Sequence, residues 1–198
     1  MKIGILALQG DFDKHTVILN NIGLDSILVR YPTELNGIEG LIIPGGESTT
    51  LTHLMKRMNF YNPIIHFSKK YPILGTCAGL IMMAKRVNHP LVKPLGLLNM
   101  DVDRNAYGRQ IHSFAESLPV RISNHIEKVP ATFIRAPQIT RIGDEVETLA
   151  EYQGNICGVK KGKHIALAFH PELDGVSLFH RVAFIPSMSI NKEKQHAA

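Results

Sequence analysis

Gly75-Thr76-Cys77-Ala78-Gly79 follows the apolar run 71–74 and precedes the apolar run 80–84. This order predicts a strand, a tight turn with a glycine at each end, and a helix that begins directly after the turn. Such a turn is typical of a nucleophile elbow, in which the central side chain stands clear at a helix N-terminus. There the helix favours a thiolate, and its free N–H groups can bind an oxyanion. The alternative is a small buried cysteine in a glycine-rich turn.

Composition is that of an ordinary globular protein. The 198 residues suit one domain, which we expect over residues 1–186, followed by a polar, frayed tail at 187–198. The two cysteines form no Cys-x-x-Cys motif, which argues against a disulfide scaffold or a metal site. The apolar run at the N-terminus is too short for a membrane span and lacks the cleavage region of a signal peptide. We therefore expect a cytoplasmic protein without a membrane partner.

The net charge of +5 raises the hypothesis of nucleic-acid binding. The basic residues are scattered, however, and no aromatic residues are interleaved with them as a stacking surface requires. The densest basic group, 160–163, contains a glycine and predicts a hairpin turn. We therefore expect no nucleic-acid partner, and the basic residues are either a solvated surface or a face for an acidic protein.

Strands and helices alternate through the first half of the chain. Strand-like apolar runs at 3–8, 26–29, 40–43 and 71–74 are separated by helical patterns at 13–22, 51–58 and 63–67. In the first helix, Val17, Ile18 and Ile22 share one face. The second half contains short β-like runs. Together they predict an α/β fold: a doubly wound, mostly parallel sheet with helices on both faces and a small antiparallel addition.

Ligands of doubly wound sheets bind beyond the carboxyl ends of the strands. The segments Gln9-Gly10, Gly45-Gly46-Glu47-Ser48 and Cys77 all fall at such ends, which favours the catalytic interpretation of the cysteine. The Gly46 N–H could complete an oxyanion hole with that of Ala78. Alternatively, Ser48 or Thr49 is a plain N-cap for the following helix.

A cysteine nucleophile needs a base, and the base needs a group that orients it. His170 ends the apolar strand 165–169, and Glu172 lies two residues later, on the same side of an extended chain. Glu172 can therefore orient the His170 ring, although a turn after a strand would give the same pattern. We expect no role for His53, His66, His89, His125 and His180.

Two further segments, 104–110 and 133–137, each place an arginine beside turn residues. A guanidinium suits a substrate carboxylate through paired hydrogen bonds. Each arginine by itself is equally consistent with a solvated surface charge.

Six segments together resemble a known family. They stand in the order found in the glutaminase subunits of pyridoxal 5′-phosphate synthase, the PdxT family of class I glutamine amidotransferases: Leu6-Ala7-Leu8-Gln9-Gly10, Pro44-Gly45-Gly46-Glu47-Ser48-Thr49-Thr50, Gly75-Thr76-Cys77-Ala78-Gly79-Leu80-Ile81, Arg104-Asn105-Ala106-Tyr107-Gly108-Arg109-Gln110, Phe133-Ile134-Arg135-Ala136-Pro137 and Phe169-His170-Pro171-Glu172-Leu173.

The resemblance implies a reaction. Cys77 would attack the side-chain amide of L-glutamine, His170 would protonate the leaving ammonia and then activate water, and Glu172 would orient His170. The amides of Gly46 and Ala78 would hold the oxyanion. The glutamine would be bound by Gly46, Glu47, Ser48, Arg104, Ile134 and Arg135. No cofactor is implied. The ammonia would pass to a synthase subunit, an obligate activating partner.

Two departures from the family pattern stand out. His112 occupies a position where the family usually has an acidic residue, so no role of that acid carries over to this chain. Beyond Leu173 the family continues into a longer closing helix, whereas here an early Pro186 shortens it. Cys157 is expected to be structural. Two rival hypotheses are a class I amidotransferase that serves a different synthase, and a catalytically silent glutamine-binding regulator.

Overall fold

A computed structural model of the chain describes residues 1–104, 113–123 and 125–185. The first half alternates strands and helices as predicted. Its elements are β1 (Lys2–Leu6), α1 (Phe12–Asn21), β2 (Asp25–Val29), a 3-10 helix (Pro32–Gly37), β3 (Gly40–Ile43), α2 (Ser48–Arg57), α3 (Tyr61–Lys70), β4 (Ile73–Thr76) and α4 (Ala78–Met83).

The second half is mostly β-structure. Its elements are β5 (Ala84–Val87), β6 (Leu98–Asp103), β7 (Phe114–Ile122), β8 (His125–Phe133), β9 (Gln138–Ile142), β10 (Glu147–Tyr152), β11 (Asn155–Lys161), β12 (His164–Leu167) and α5 (Leu178–Phe184). The hairpin turn predicted at 160–163 joins β11 to β12, with Gly162 at a φ of 55°.

Within the described residues, the main sheet has nine strands in the order β2-β1-β3-β4-β12-β11-β10-β7-β8. The first five of these are parallel to one another, and the remaining four extend the sheet in antiparallel fashion. A second sheet has the order β5-β6-β9. The α/β class and the mostly parallel core are confirmed, with an antiparallel part larger than expected.

The strand order reverses direction at β1. The connection from β1 to β2 runs one way across the sheet and that from β3 to β4 runs the other way. Because such crossovers are right-handed, α1 lies on one face and α2 and α3 lie on the opposite face. The loops after β1 and β3 therefore meet at the switch point, where ligands of this architecture bind.

Two details of the helix predictions were wrong. Val17 is 55% exposed, whereas Ile18 is buried and Ile22 packs against the core as predicted; His15 and Leu19 complete the buried face of α1. That face is set by packing against β1 and β2 rather than by apolar content. Helix α3 begins at Tyr61, before Pro63, because a proline in the first turn of a helix lacks only an N–H that would have no partner there.

Candidate active site

Three loops converge at the carboxyl ends of adjacent parallel strands. Gly45 and Gly46 follow β3, Cys77 follows β4, and His170 comes three residues after β12. Because β3, β4 and β12 are neighbours in the sheet, these loops lie side by side. The sheet therefore brings together the cysteine, the histidine and the double glycine that the sequence placed far apart.

Cys77 has the backbone of a nucleophile elbow. Its φ of 48° and ψ of −101° lie in a region that non-glycine residues rarely adopt. The Cys77 N–H donates to the Leu167 carbonyl oxygen on β12 at 2.8 Å, which fixes the turn. Cys77 is the N-cap of α4, so Ala78 is the first residue of that helix, and its N–H has no acceptor within the helix.

Close packing explains two of the glycines around the cysteine. A Cβ on Gly79 would collide with the carbonyl oxygen of Ile43, so α4 can approach β3 only with glycine there. A Cβ on Gly45 would overlap the His170 ring and lie 3.4 Å from Cys77 Cβ. The backbone of Gly45 therefore forms a wall of the space that His170 and Cys77 share.

His170 and Glu172 form a buried hydrogen-bonded pair. Nδ1 of His170 lies 2.7 Å from Oε1 of Glu172, which is 3% exposed. Burial alone would lower the pKa of His170, but hydrogen bonds and charge from Cys77 and Glu172 raise it to about 10. At neutral pH the imidazole is therefore protonated beside the cysteine, as an acid for a leaving group requires.

The two residues after β8, Ile134 and Arg135, contribute to the cavity wall. The His170 N–H donates to the Thr132 carbonyl oxygen at 2.9 Å, which attaches β8 to the loop of the histidine. Two residues further on, the Ile134 carbonyl oxygen lies 3.9 Å from Cys77 Sγ. Arg135 follows with a φ of 44°, a strained backbone that directs the chain past the cysteine.

Glu47 is the N-cap of α2, so the alternative that Ser48 or Thr49 caps this helix was wrong. Its carboxylate accepts hydrogen bonds from the N–H groups of Thr49 and Thr50, at 3.1 and 2.6 Å. Partial burial would raise the pKa of Glu47, but hydrogen bonds from the Thr49 hydroxyl and from the N–H groups of Thr50 and Thr49 lower it to about 2. The charged carboxylate also forms a salt bridge with Arg104.

These residues line one cavity of about 350 Å³. Its walls hold all six residues expected to bind glutamine, together with the cysteine, the histidine and Ile81: Gly46, Glu47, Ser48, Cys77, Ile81, Arg104, Ile134, Arg135 and His170. The hydroxyl of Ser48 is buried and has no hydrogen-bond partner among the described residues. Ala78 and Glu172 do not line the cavity, and both are buried.

Sequence reasoning missed two contributions to this site. Gln9 accepts a hydrogen bond from the Glu47 N–H at 2.9 Å and fills the space where a Gly46 side chain would be. Ile81 on α4 forms part of the cavity wall. The position of Gln9 directly after β1 could have indicated its place at the site. Ile81 gave no such indication, because it lies within an apolar run.

Some expectations fall outside the described residues: segment 105–110 after Arg104, His112, Pro186 and the tail 187–198.

Elsewhere, Cys157 is a buried free cysteine. No set of three or more His, Cys, Asp or Glu side chains in the described ranges is arranged to hold a metal ion. None of the helices in that part of the chain is long and apolar enough to cross a membrane.

Residues 5–187 match the model of the SNO glutamine amidotransferase family. The chain belongs to this family. Among its relatives, the pyridoxal 5′-phosphate synthase subunit PdxT of Oenococcus oeni is 44% identical over 180 residues, which cover 91% of this chain and 93% of that protein. The PdxT subunit of Dehalococcoides mccartyi is 46% identical over 185 residues, covering 91% and 94%.

Solved structures agree with this membership. A crystal structure of a glutamine amidotransferase superposes with a TM-score of 0.85 at 38% identity, covering 92% of this chain and 99% of the other. The structure of PurLQS from Thermotoga maritima superposes with a TM-score of 0.67 at 17% identity, covering 91% and 96%. The second similarity concerns the fold alone. The class I glutamine amidotransferase architecture expected from the sequence is confirmed.

Proposed function

We propose that this chain is a glutaminase that hydrolyses L-glutamine to L-glutamate and ammonia as one component of a pyridoxal 5′-phosphate synthase. One observation carries the proposal: Cys77 and His170, which is hydrogen-bonded to Glu172, meet in a cavity that also holds a carboxylate and two guanidinium groups. Family membership specifies an amidotransferase. The relatives named as PdxT subunits support the assignment to this synthase.

The chemistry begins with the Cys77 sulfur. The thiolate attacks the carboxamide carbon of glutamine, and the carbonyl oxygen becomes an oxyanion that the N–H groups of Gly46 and Ala78 receive. Protonated His170 then donates its proton to the departing nitrogen, which leaves as ammonia. The remaining thioester is attacked by a water molecule from which His170 takes a proton, and collapse releases glutamate and the Cys77 thiolate. Glu172 orients the imidazole throughout.

The cavity suits the zwitterionic end of glutamine. Arg104 and Arg135 offer guanidinium groups to the α-carboxylate, and Glu47 offers a carboxylate to the α-ammonium group. The buried hydroxyl of Ser48 and the Ile134 backbone are further polar partners. Binding at these groups places the carboxamide next to Cys77 Sγ, because the sulfur lies on the same cavity wall.

Ammonia must reach an acceptor before it escapes as ammonium. We infer that a synthase subunit docks on this chain, receives the ammonia through a protected channel and activates the glutaminase. The names of the PdxT relatives, each a subunit of a synthase, support a partner of this kind. The site needs no cofactor for the steps above.

The deciding experiment measures glutamate release from glutamine with and without a pyridoxal 5′-phosphate synthase subunit. We expect release that depends on the synthase and is abolished in Cys77→Ala, whereas Cys157→Ala retains it. Undiminished release by Cys77→Ala would refute the mechanism. No release by wild type with its partner would favour a silent glutamine-binding protein, and co-purification with a different acceptor enzyme would favour another amidotransferase.

A further inference from the structure

A pair of buried histidines lies behind Glu172. His15 on α1 and His180 on α5 both have no exposed surface, and Nδ1 of His15 is 2.9 Å from Nε2 of His180. On its other side, Nε2 of His15 is 3.8 Å from Oε1 of Glu172 and 3.5 Å from the hydroxyl of Thr76 on β4. Oε1 of Glu172 thus lies between the rings of His15 and His170.

Both histidines of this pair are neutral at physiological pH. Burial, together with the charges of His180 and His170, lowers the pKa of His15 well below its usual value. Burial lowers the pKa of His180 to about 4. Two neutral rings that share a 2.9 Å contact have a single proton between them, so one ring donates and the other accepts.

The carboxylate of Glu172 selects which ring donates. A carboxylate is only an acceptor, so it favours the tautomer of His15 that carries its proton on Nε2, facing Glu172. Nδ1 of His15 is then an acceptor, and Nε2 of His180 donates to it, which leaves Nδ1 of His180 unprotonated and without a hydrogen-bond partner among the described residues. The hydrogen-bond polarity therefore runs from His180 on α5, through His15 on α1, toward the carboxylate.

Glu172 has few other restraints. Its second oxygen, Oε2, is buried and has no hydrogen-bond partner in the described part of the chain. The orientation of the carboxylate thus depends on Oε1, which contacts His170 at 2.7 Å and faces His15 at 3.8 Å. Loss of the His15 N–H would leave Oε1 with the hydrogen bond to His170 and without the donor that faces it on the other side, which weakens the restraint on the carboxylate.

We propose that His15 is a positioning residue for glutamine hydrolysis: its Nε2–H faces Oε1 of Glu172 across 3.8 Å and favours the carboxylate position in which Oε1 receives Nδ1–H of His170. His180 complements this tautomer, because its Nε2–H donates to the unprotonated Nδ1 of His15. Because the histidines come from α1 and α5, the packing of these two helices is coupled to the alignment of the acid–base pair. This inference rests on the proposed function and adds a role for residues that do not line the cavity.

Paired variants of His15 test the proposal. Phe fills the ring space of His15 without a donor, whereas Gln carries an amide N–H at a similar distance from the backbone. In His15→Phe, measured with the synthase subunit present, we expect kcat to fall roughly 10- to 100-fold with KM unchanged, as is typical for a lost orienting partner. His15→Gln should restore kcat to within about threefold of wild type. The exposed His66→Phe is the matched control and should match wild type.

Two spectroscopic readouts separate positioning from mere support of the fold. The ¹⁵N chemical shifts of the wild-type rings should show His15 protonated on Nε2 and unprotonated on Nδ1, a result that needs no variant to fold. In His15→Phe, the pKa of His170 should fall, because Glu172 no longer faces it. If His15 only supported the fold, the protonated nitrogen of its ring and the pKa of His170 would not depend on an N–H donor at residue 15.

Three results would overturn the proposal: His15 protonated on Nδ1, His15→Phe with wild-type kcat and His170 titration, or His15→Gln no more active than His15→Phe. Failure of the proposed function is distinguishable from these, since it would be seen as absence of glutamine hydrolysis in wild type with its partner. The tautomer of His15 and the His170 titration can be measured in either case.

Discussion

The Arg104 guanidinium donates a hydrogen bond to Glu47, the same carboxylate that caps helix α2. This contact connects the end of β6 to the loop after β3, two segments that the chain separates widely. Both side chains line the cavity, so the ion pair presents a cation and an anion to one ligand. A free amino acid carries the complementary charges.

Removing the arginine should weaken glutamine binding. For Arg104→Ala we expect KM for glutamine to rise about 10- to 100-fold with a smaller change in kcat, because a charge-assisted contact to the substrate is lost. Steady-state glutamate release with the synthase subunit measures both constants. Arg86→Ala is the matched control, since Arg86 pairs with Asp101 at an exposed site outside the cavity. An unchanged KM in Arg104→Ala would mean that this arginine only holds Glu47.

A methyl group at Gly45 should disable the site. Gly45→Ala places a Cβ against the His170 ring, so the imidazole must move away from Cys77, and we expect kcat to fall on the order of 100-fold. Gly37→Ala is the control, because a Cβ there meets no atom within 4 Å. Activity assays and thermal unfolding of both variants check the effect. Near-normal kcat in Gly45→Ala would show that the ring has room to shift without loss of function.

The charge of Glu172 should control the titration of His170. Burial opposes the charged imidazole, whereas Cys77 and Glu172 raise its pKa to about 10, so Glu172→Gln should lower that pKa. We also expect kcat to fall roughly 10²- to 10⁴-fold, since an amide does not stabilise the imidazolium. An NMR titration of the His170 ring measures the pKa, with the exposed Glu147→Gln as control. A His170 pKa that stays near 10 would contradict the pairing.

Only one cysteine should react with alkylating reagents. Burial raises the pKa of the Cys157 thiol to about 12, and this residue lies in the core on β11. Cys77 is in the cavity and faces protonated His170. Iodoacetamide treatment of the native protein at about pH 7.5, followed by peptide mass spectrometry, should therefore find modification at Cys77. Comparable labelling of Cys157 under native conditions would refute this expectation.

Mild acid should destabilise the fold through buried histidines. Burial lowers the pKa values of His164 and His180 to about 4, below the 6.5 of an exposed histidine. Between these values the unfolded state binds more protons, so the free energy of unfolding falls as the pH drops from about 6.5 to about 4. For His180 the full loss is about 3 kcal/mol. The raised pKa of His170 does not offset this loss of stability. At the acid end of the range from pH 6.5 to 4, His170 is protonated in both the folded and the unfolded state, so it adds no pH dependence there.

Urea unfolding at pH 7, 6 and 5 measures this dependence. His180→Phe and His164→Gln should each flatten the slope of stability against pH, since each removes a proton-binding difference between the folded and unfolded states. His164 also accepts a hydrogen bond from the Ile73 N–H through Nδ1, a contact that protonation would break. A slope that neither variant reduces would assign the acid sensitivity to other groups.

Much of the fold was predictable because its signals are local. The strands β1, β3 and β4 are short apolar runs bounded by glycine or proline, and Gly23 ends α1 at a φ of 74° as a helix stop should. Strands β5, β7 and β9 were missed. Their residues alternate between buried and exposed or are largely polar, so they lack the apolar runs that mark β1, β3 and β4, and pairing with neighbouring strands makes them part of the sheets.

The histidines show why burial resists prediction from sequence. His180 was expected to have no role because it stands near the chain end. The fold packs α5 against β4 and β12, which encloses His180 completely and brings it to His15, 165 positions away. No local pattern reports that contact, since it depends on where two helices cross the sheet.

The sequence by itself determined the elbow at Cys77, the i and i+2 spacing of His170 and Glu172, and the order of motifs that the amidotransferase family shares. These follow from short-range geometry: glycines that permit a tight turn, and a strand that alternates its side chains. Only the tertiary structure decided that Glu47 rather than Ser48 caps α2, and that a histidine pair lies behind Glu172. Both depend on contacts between segments far apart in the chain, which arise only when the parallel strands align their carboxyl ends and bury what lies beneath them.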